Sequence, residues 1–188
     1  KTNIEYHRYG THIFHTSNQL VWDYINRFTK FNNYRHQVLS SHNKKIYQMP
    51  INLETINSLY KKNLNPLEAR KLMDFEAKRF KKYLVKNFEN KAKSQIGEKL
   101  YNAFIKGYTL KQWGKSPKLL PESIFNRLPI RFNYNEDYYS QLQYQGIPLN
   151  GYTGIFKNEL DKKNIKILLN EKYNLDYKIK PRYATIYT

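Results

Sequence analysis

The densest cluster of chemistry-bearing side chains is Phe104-Ile105-Lys106-Gly107-Tyr108-Thr109-Leu110-Lys111-Gln112-Trp113-Gly114. Rings stack on flat heterocycles and ammonium groups bond to phosphate, so this composition suits a nucleotide. A helix that stops at Gly107 and releases Tyr108 and Trp113 into a loop would present them to such a ligand. The competing reading is a helix C-cap with core aromatics, and for any single ring in the run it is the stronger one.

A second constellation is Asn126-Arg127-Leu128-Pro129-Ile130-Arg131, followed by Tyr134, Tyr138 and Tyr139. An arginine before a proline-broken helix end can clamp a diphosphate with its bidentate fork. The same arginine also reads as a surface cation favoured by the helix dipole. Other site patterns fail. The chain has no GxGxxG, GxxxxGK[ST], GxSxG or HExxH. His12 and His15 stand three apart without a third ligand, so no metal is expected. Glu98, Glu122 and Asp137 are scattered, which argues against a paired-carboxylate hydrolase. The absence of cysteine excludes disulfides, thiolate zinc sites and a cysteine nucleophile.

The elements that must position these groups follow from periodicity. Residues 4–14 alternate loosely as strand or extended loop turning at Gly10, and Thr16-Ser17-Asn18 caps a helix carrying Leu20, Val21, Tyr24, Ile25 and Phe28. Residues 35–49 predict a β-hairpin with its turn at Ser41-His42-Asn43, closed by Pro50. From 53 to about 106 the period is helical. Asn65-Pro66 starts a long helix with Leu67, Leu72, Phe75, Phe80, Tyr83 and Leu84 as its apolar face and lysines around the rest. A second helix carries Ile96, Leu100, Ala103 and Phe104 and ends at Gly107. A short helix runs from Pro121 to about Arg127. The period then returns towards two, with Ile130, Phe132 and Tyr134 alternating, an extended stretch over 138–145, a helix over 152–162, and strands over 165–169 and 184–187. The class expected is α+β, a helical bundle inserted between β-rich segments.

Composition sets outer bounds. A chain of 188 residues with 40% apolar content can bury a core, and it contains no apolar run long enough for a membrane-spanning helix. Lys+Arg is 33 against 15 for Asp+Glu, a formal charge of +18, and aromatics reach 16%. Positive charge with many rings also fits a nucleic-acid-binding module, although no RNP, KH or zinc-knuckle pattern is present. The bland alternative is a Lys-, Asn- and Tyr-rich drift that solvates the surface.

Four motifs occur in one order: Tyr9-Gly10-Thr11-His12-Ile13-Phe14-His15-Thr16; Ile105-Lys106-Gly107-Tyr108-Thr109 with Lys111-Gln112-Trp113-Gly114; Arg127-Leu128-Pro129-Ile130-Arg131-Phe132; and Tyr144-Gln145-Gly146-Ile147-Pro148 with Gly151-Tyr152-Thr153. Together they resemble the UDP-galactopyranose mutase family. The resemblance covers essentially the whole chain but only about the middle half of the family's length. It implies a flavoprotein that binds FAD and contracts the ring of UDP-galactopyranose to UDP-galactofuranose, for surface polysaccharide, with no net redox change. Reduced flavin supplies the nucleophile and the protein stabilises the departing UDP.

On individual residues, the resemblance implies that His12 sits against the flavin with Ile13 beside it, while Ile165 lies near the flavin adenine. Phe104 and Tyr108 hold the uracil, and Thr109 and Trp113 line the uridine and diphosphate path. Arg127 rides a mobile loop that closes over the diphosphate, Tyr138 bonds a phosphate, and His36 contacts the nucleotide. Arg127 and His12 are the catalytic candidates. The division implied is 1–34 and 149–188 as parts of the FAD-binding domain, a hairpin over 35–50, a helical substrate-binding unit over 51–128 and sheet strands over 129–148. No nucleic-acid partner and no membrane span are expected, a homodimer is compatible, and the nucleotide-sugar substrate with the lack of cysteine and leader points to the cytoplasm. The family's N-terminal glycine-rich flavin loop and its C-terminal part are absent, and Asn150 replaces the first glycine of the usual GGYT. These 188 residues alone are therefore expected to bind flavin poorly and turn nothing over, with an inactive remnant as the remaining alternative.

Overall fold

The computed structural model describes residues 6–7, 10–81, 84–139 and 143–172. They form an α+β arrangement of helices with two small antiparallel sheets of two strands each. The strand expected over 184–187 lies outside the described residues.

Strand β1 (Phe14–Thr16) pairs with β4 (Tyr144–Gly146), bringing His15 opposite Gln145. Trp22 of helix α1 (Gln19–Ile25) stacks on Tyr144 at 5.1 Å and packs near Phe31 at 5.0 Å, closing this corner with aromatic surface. Asn18 caps α1 as expected, its Oδ1 accepting from Leu20 N at 2.9 Å. The helix stops at Ile25, short of Phe28.

Strands β2 (Val38–His42) and β3 (Lys45–Met49) form the expected hairpin, but its turn is Asn43-Lys44. Both turn residues have positive φ, 49° and 62°, the two-residue connection whose twist matches that of paired strands, and asparagine tolerates it well. The expected turn at 41–43 would have cost the pairing of Ser41 with Ile46.

Helix α2 (Leu53–Tyr60) begins with a capping box in which Asn52 and Thr55 satisfy each other's backbone N–H groups. Helix α3 (Pro66–Lys81) starts at the proline, and the Asn65 and Glu68 side chains cap it reciprocally. Its buried line is Ala69, Met73 and Ala77, with Leu72 packed against the core as expected, whereas Leu67 and Phe75 are 61% and 75% exposed and correct that part of the apolar face; Tyr83 lies outside the described residues. The buried line, with two alanines eight residues apart and Met73 between them, packs against α4 (Phe88–Leu100). Gly97 marks the contact: it breaks α4 at φ 73°, ψ 173°, and a Cβ there would meet Glu76 Cβ at 2.6 Å. Ile51, Leu53, Ile56, Ile96, Leu100, Tyr101 and Phe125 complete the core.

Helix α4 does not end at Gly107. It passes through a π-helical turn, Tyr101–Ile105, into α5 (Lys106–Trp113), and the stop is Gly114 in the left-handed region at φ 61°. Tyr108 and Trp113 therefore stand on a helix, not in a loop. The expected short helix before Pro129 is a 3-10 turn over Glu122–Arg127. Beyond it, Ile130 makes a single parallel bridge to Ile51, and Tyr144–Gly146 is the only strand described in the expected 130–145 region. Helix α6 covers Gly151–Leu160, and residues 165–169 form no strand.

Candidate functional site

A cavity of about 550 Å³ opens where the hairpin, the π-helical turn and the 128–139 segment meet. The wide turn carries Phe104 under the hairpin, its ring 5.0 Å from Tyr47 and 5.8 Å from His42 in edge-on contacts, so that it forms floor and core at once. One turn further, Tyr108 stands at the rim, 61% exposed. Leu128, Pro129 and Ile130 form a further wall, with Tyr138 and Tyr139 facing in from the segment that follows. The described lining contains no carboxylate, which suits an anionic ligand.

The 133–139 segment has no ladder, and its backbone is held by side chains together with isolated main-chain bonds, among them Leu53 N to the Asn133 carbonyl at 3.0 Å. Arg131 Nη1 donates to the carbonyls of Asn135 and Asp137 at 3.2 and 2.6 Å, and Nη2 donates to that of Tyr138 at 3.3 Å. Tyr138 N donates to the carbonyl of His36 at 3.0 Å. His36 N in turn donates to Gln145 Oε1 at 3.0 Å. The Tyr139 ring stacks on His15 at 4.1 Å and on His36 at 5.7 Å.

Burial pushes the Tyr138 phenol up, and the neighbouring Tyr108 and Tyr139 phenols add to the rise. Burial likewise raises Tyr139. Both hydroxyls thus stay protonated at neutral pH and donate hydrogen bonds. His36 is lowered, chiefly by burial and also by His15, against an opposing pull from Asp137, so its neutral form is favoured. The cavity is equipped to stack a ring and donate to oxygens. No side chain in its lining is an activated nucleophile.

Of the residues expected at a site, His36, Phe104, Tyr108 and Tyr138 line this one cavity. His12 and Ile13 follow Thr11, which also lines it. The His12 ring is exposed, with Nδ1 2.9 Å from the Gly10 carbonyl, and its own carbonyl accepts from Tyr152 Oη at 3.0 Å. Thr109 is buried and Trp113 half exposed, and neither lines the cavity. Arg127 ends the 3-10 turn, next to the lining residue Leu128. Ile165 follows α6, away from the lining. Arg131 and Tyr139 stood in the second constellation and His15 beside His12, but no positioning role was legible for any of them in the sequence, and Gln145 was not singled out. The burial of Gln145 and its pairing with His15 across two short strands are visible only in the fold.

The fold brings ring surface and phenol hydroxyls from three separate stretches of sequence to one cavity. Comparison with known proteins supplies the class. Residues 103–188 match the model of the family described as GLF: UDP-galactopyranose mutase. The chain is 43% identical to a dTDP-fucopyranose mutase of Escherichia coli, over 93% of this chain and 46% of that protein. It is 41% identical to a probable UDP-galactopyranose mutase of Klebsiella pneumoniae, over 92% and 44% respectively. It is 33% identical to the UDP-galactopyranose mutase of Mycoplasma genitalium, over 93% and 44%. The resemblance carried by the four motifs to the UDP-galactopyranose mutase family is borne out, and the chain spans slightly less than half the length of these relatives. The nucleic-acid-binding reading finds no support in these matches. Among the described residues, no helix is long and apolar enough to cross a membrane.

Proposed function

We propose that the protein carrying this chain is a UDP-galactopyranose mutase, an isomerase that interconverts UDP-galactopyranose and UDP-galactofuranose, and that these residues supply its UDP-sugar site. One observation carries the proposal furthest. His36, Phe104, Tyr108 and Tyr138, implied by the family resemblance from three separate stretches of sequence, gather around a single cavity.

The chemistry asked of the protein is to hold the nucleotide and stabilise a departing diphosphate. Phe104 and Tyr108 offer ring surface for the base, and base–aromatic stacking contributes about 1–3 kcal/mol. The neutral hydroxyl of Tyr138 donates to a phosphate oxygen. Arg127, which the resemblance places over the diphosphate, would meet the charge that develops as the anomeric C–O bond breaks. FAD, in its reduced form, would supply the nucleophile that attacks the anomeric carbon. The placement of His12 supports the ring end of that cofactor here: its Nδ1 lies 2.9 Å from the Gly10 carbonyl, and it directly follows Thr11 of the cavity lining. His12 and Ile13 would flank the ring system and Ile165 the adenine, while the cofactor's diphosphate cradle belongs to the rest of the protein. On this reading 51–128 is the substrate-binding unit, the flanking segments join the flavin domain, the setting is cytoplasmic, and the isolated 188 residues are inactive.

The Escherichia coli relative favours a second reading, a dTDP-fucopyranose mutase, which differs in the base methyl, the ribose 2′-hydroxyl and the sugar 6-hydroxyl. The test is turnover by the whole protein, loaded with reduced FAD, of UDP-galactopyranose and of dTDP-fucopyranose, with furanose products separated by chromatography. The larger kcat/KM for UDP-galactopyranose, lowered at least tenfold by Arg127→Ala, is the expected result. A larger value for dTDP-fucopyranose transfers the assignment to the second reading, and turnover of neither removes both.

A further inference from the structure

Arg131 lies one strand-like step from the cavity wall, yet its guanidinium points at protein backbone. Its hydrogen bonds to the carbonyls of Asn135, Asp137 and Tyr138 gather the 135–138 turn around one cation. Its own backbone is pinned as well, since Arg131 N donates to the Ile51 carbonyl at 2.9 Å beside the Ile51–Ile130 bridge. The cation is thus anchored to the start of the helical core, and the turn to the cation. Directly after the last of those carbonyls comes Tyr139, whose ring stacks with those of His15 and His36. Tyr138, whose carbonyl is held, has its ring 5.3 Å from His36 and faces the cavity.

We propose that Arg131 is a positioning residue for ligand binding: it fixes the 135–138 backbone so that the Tyr138 hydroxyl meets the phosphate, and it does not itself bind the ligand. This rests on the reading of the cavity as a UDP-sugar site. A guanidinium fork serves this purpose because two nitrogens can hold three carbonyls whose spacing a single ammonium cannot match. The same engagement separates Arg131 from Arg127: its polar face is committed to main chain, and it acts on ligand only through Tyr138.

The test uses the whole protein with Arg131→Lys, Tyr138→Phe and the double variant. It combines UDP titration with amide hydrogen exchange of 135–139 in the absence of ligand. Lysine keeps the charge and a single contact, so the fold is retained and the melting transition reports this. Arg131→Lys is expected to speed exchange at Tyr138 N–H and to weaken UDP by about tenfold, matching Tyr138→Phe. The double variant should be no weaker than either single one, because both remove the same contact. Unchanged exchange overturns the proposal. Faster exchange with undiminished UDP affinity, or additive losses in the double variant, also overturns it by leaving Arg131 a merely structural role. Failure of the unsubstituted protein to bind UDP sinks the cavity reading itself and the proposal with it, and it is recognised before any variant is compared.

Discussion

The amide nitrogen of Gln145 donates to both carboxylate oxygens of Asp137, at 3.1 and 3.2 Å. The same amide's oxygen accepts from His36 N, so one buried side chain on β4 ties the turn before Tyr138 to the segment before β2. Replacing it with leucine leaves a backbone N–H and a half-buried carboxylate short of a partner, a cost of about 1–3 kcal/mol. Gln145→Glu should cost more, because it sets a second carboxylate against Asp137. Urea unfolding of the three proteins checks both the loss and its order. Stability within about 0.5 kcal/mol of the original for both variants would refute the bridge.

Two glycines should respond in opposite directions to alanine. Gly97 has φ 73° and ψ 173°, a region closed to other residues, and a Cβ would meet Glu76 Cβ at 2.6 Å. Gly97→Ala is expected to lose roughly 3 kcal/mol from strain and overlap combined. Gly107 lies inside α5 with nothing within 4 Å of an added Cβ. Gly107→Ala should gain up to about 1 kcal/mol of helix stability. Thermal melts of the two variants decide the matter. A destabilising Gly107→Ala would mean that the helix does stop there.

That pair also shows where the sequence was legible. Capping signals were local and held: Asn18, and Asn65 with Pro66, start their helices where expected, because a side-chain oxygen two or three residues from an orphan N–H needs no tertiary context. Gly107 and Gly97 carry the same letter, and only packing against Glu76 distinguishes the one that breaks a helix from the one that does not. The buried line Ala69-Met73-Ala77 was hidden for a related reason. Periodicity weighs large side chains, whereas close helix contact selects small ones. At the cavity, the family resemblance named His36, Phe104, Tyr108 and Tyr138, which the fold gathers in one lining. Arg131 and Tyr139 were named with the second constellation, but their roles, like that of Gln145, were hidden because they depend on how the 135–138 turn folds and on an amide bridge and stacked imidazoles from distant segments.

His36 should make stability depend on pH below neutrality. Its pKa is lowered from 6.5 in the folded chain, burial being the main cause. The unfolded chain therefore binds the proton first. Stability is full above about pH 6.5 and falls as the pH drops through the folded value. His36→Asn keeps a polar side chain and removes the titration. The fall in melting temperature from about pH 7.5 to about pH 5.5 should be smaller in the variant than in the original protein. An equal fall in both would assign the effect to other groups.

Phe104 and Tyr108 separate the core's share of the cavity from the ligand's. Phe104 is 5% exposed and packed edge-on against Tyr47, so Phe104→Ala should cost about 3–5 kcal/mol of stability, and a loss of UDP binding there combines the damaged fold with any lost stacking. Tyr108 is 61% exposed at the rim, and truncating such a ring leaves stability within about 0.5 kcal/mol. If the ring stacks the base, Tyr108→Ala should nevertheless weaken UDP roughly tenfold, while Tyr108→Phe, which keeps the ring, retains most of the affinity. A calorimetric titration of UDP into the whole protein, paired with a melt of each variant, reads both quantities. If Tyr108→Ala binds UDP undiminished, the base does not lie against this ring and the nucleotide end of the cavity must be placed elsewhere. If Tyr108→Phe loses as much as Tyr108→Ala, the hydroxyl makes the contact, and Tyr108 belongs with Tyr138 among the donors to phosphate or sugar.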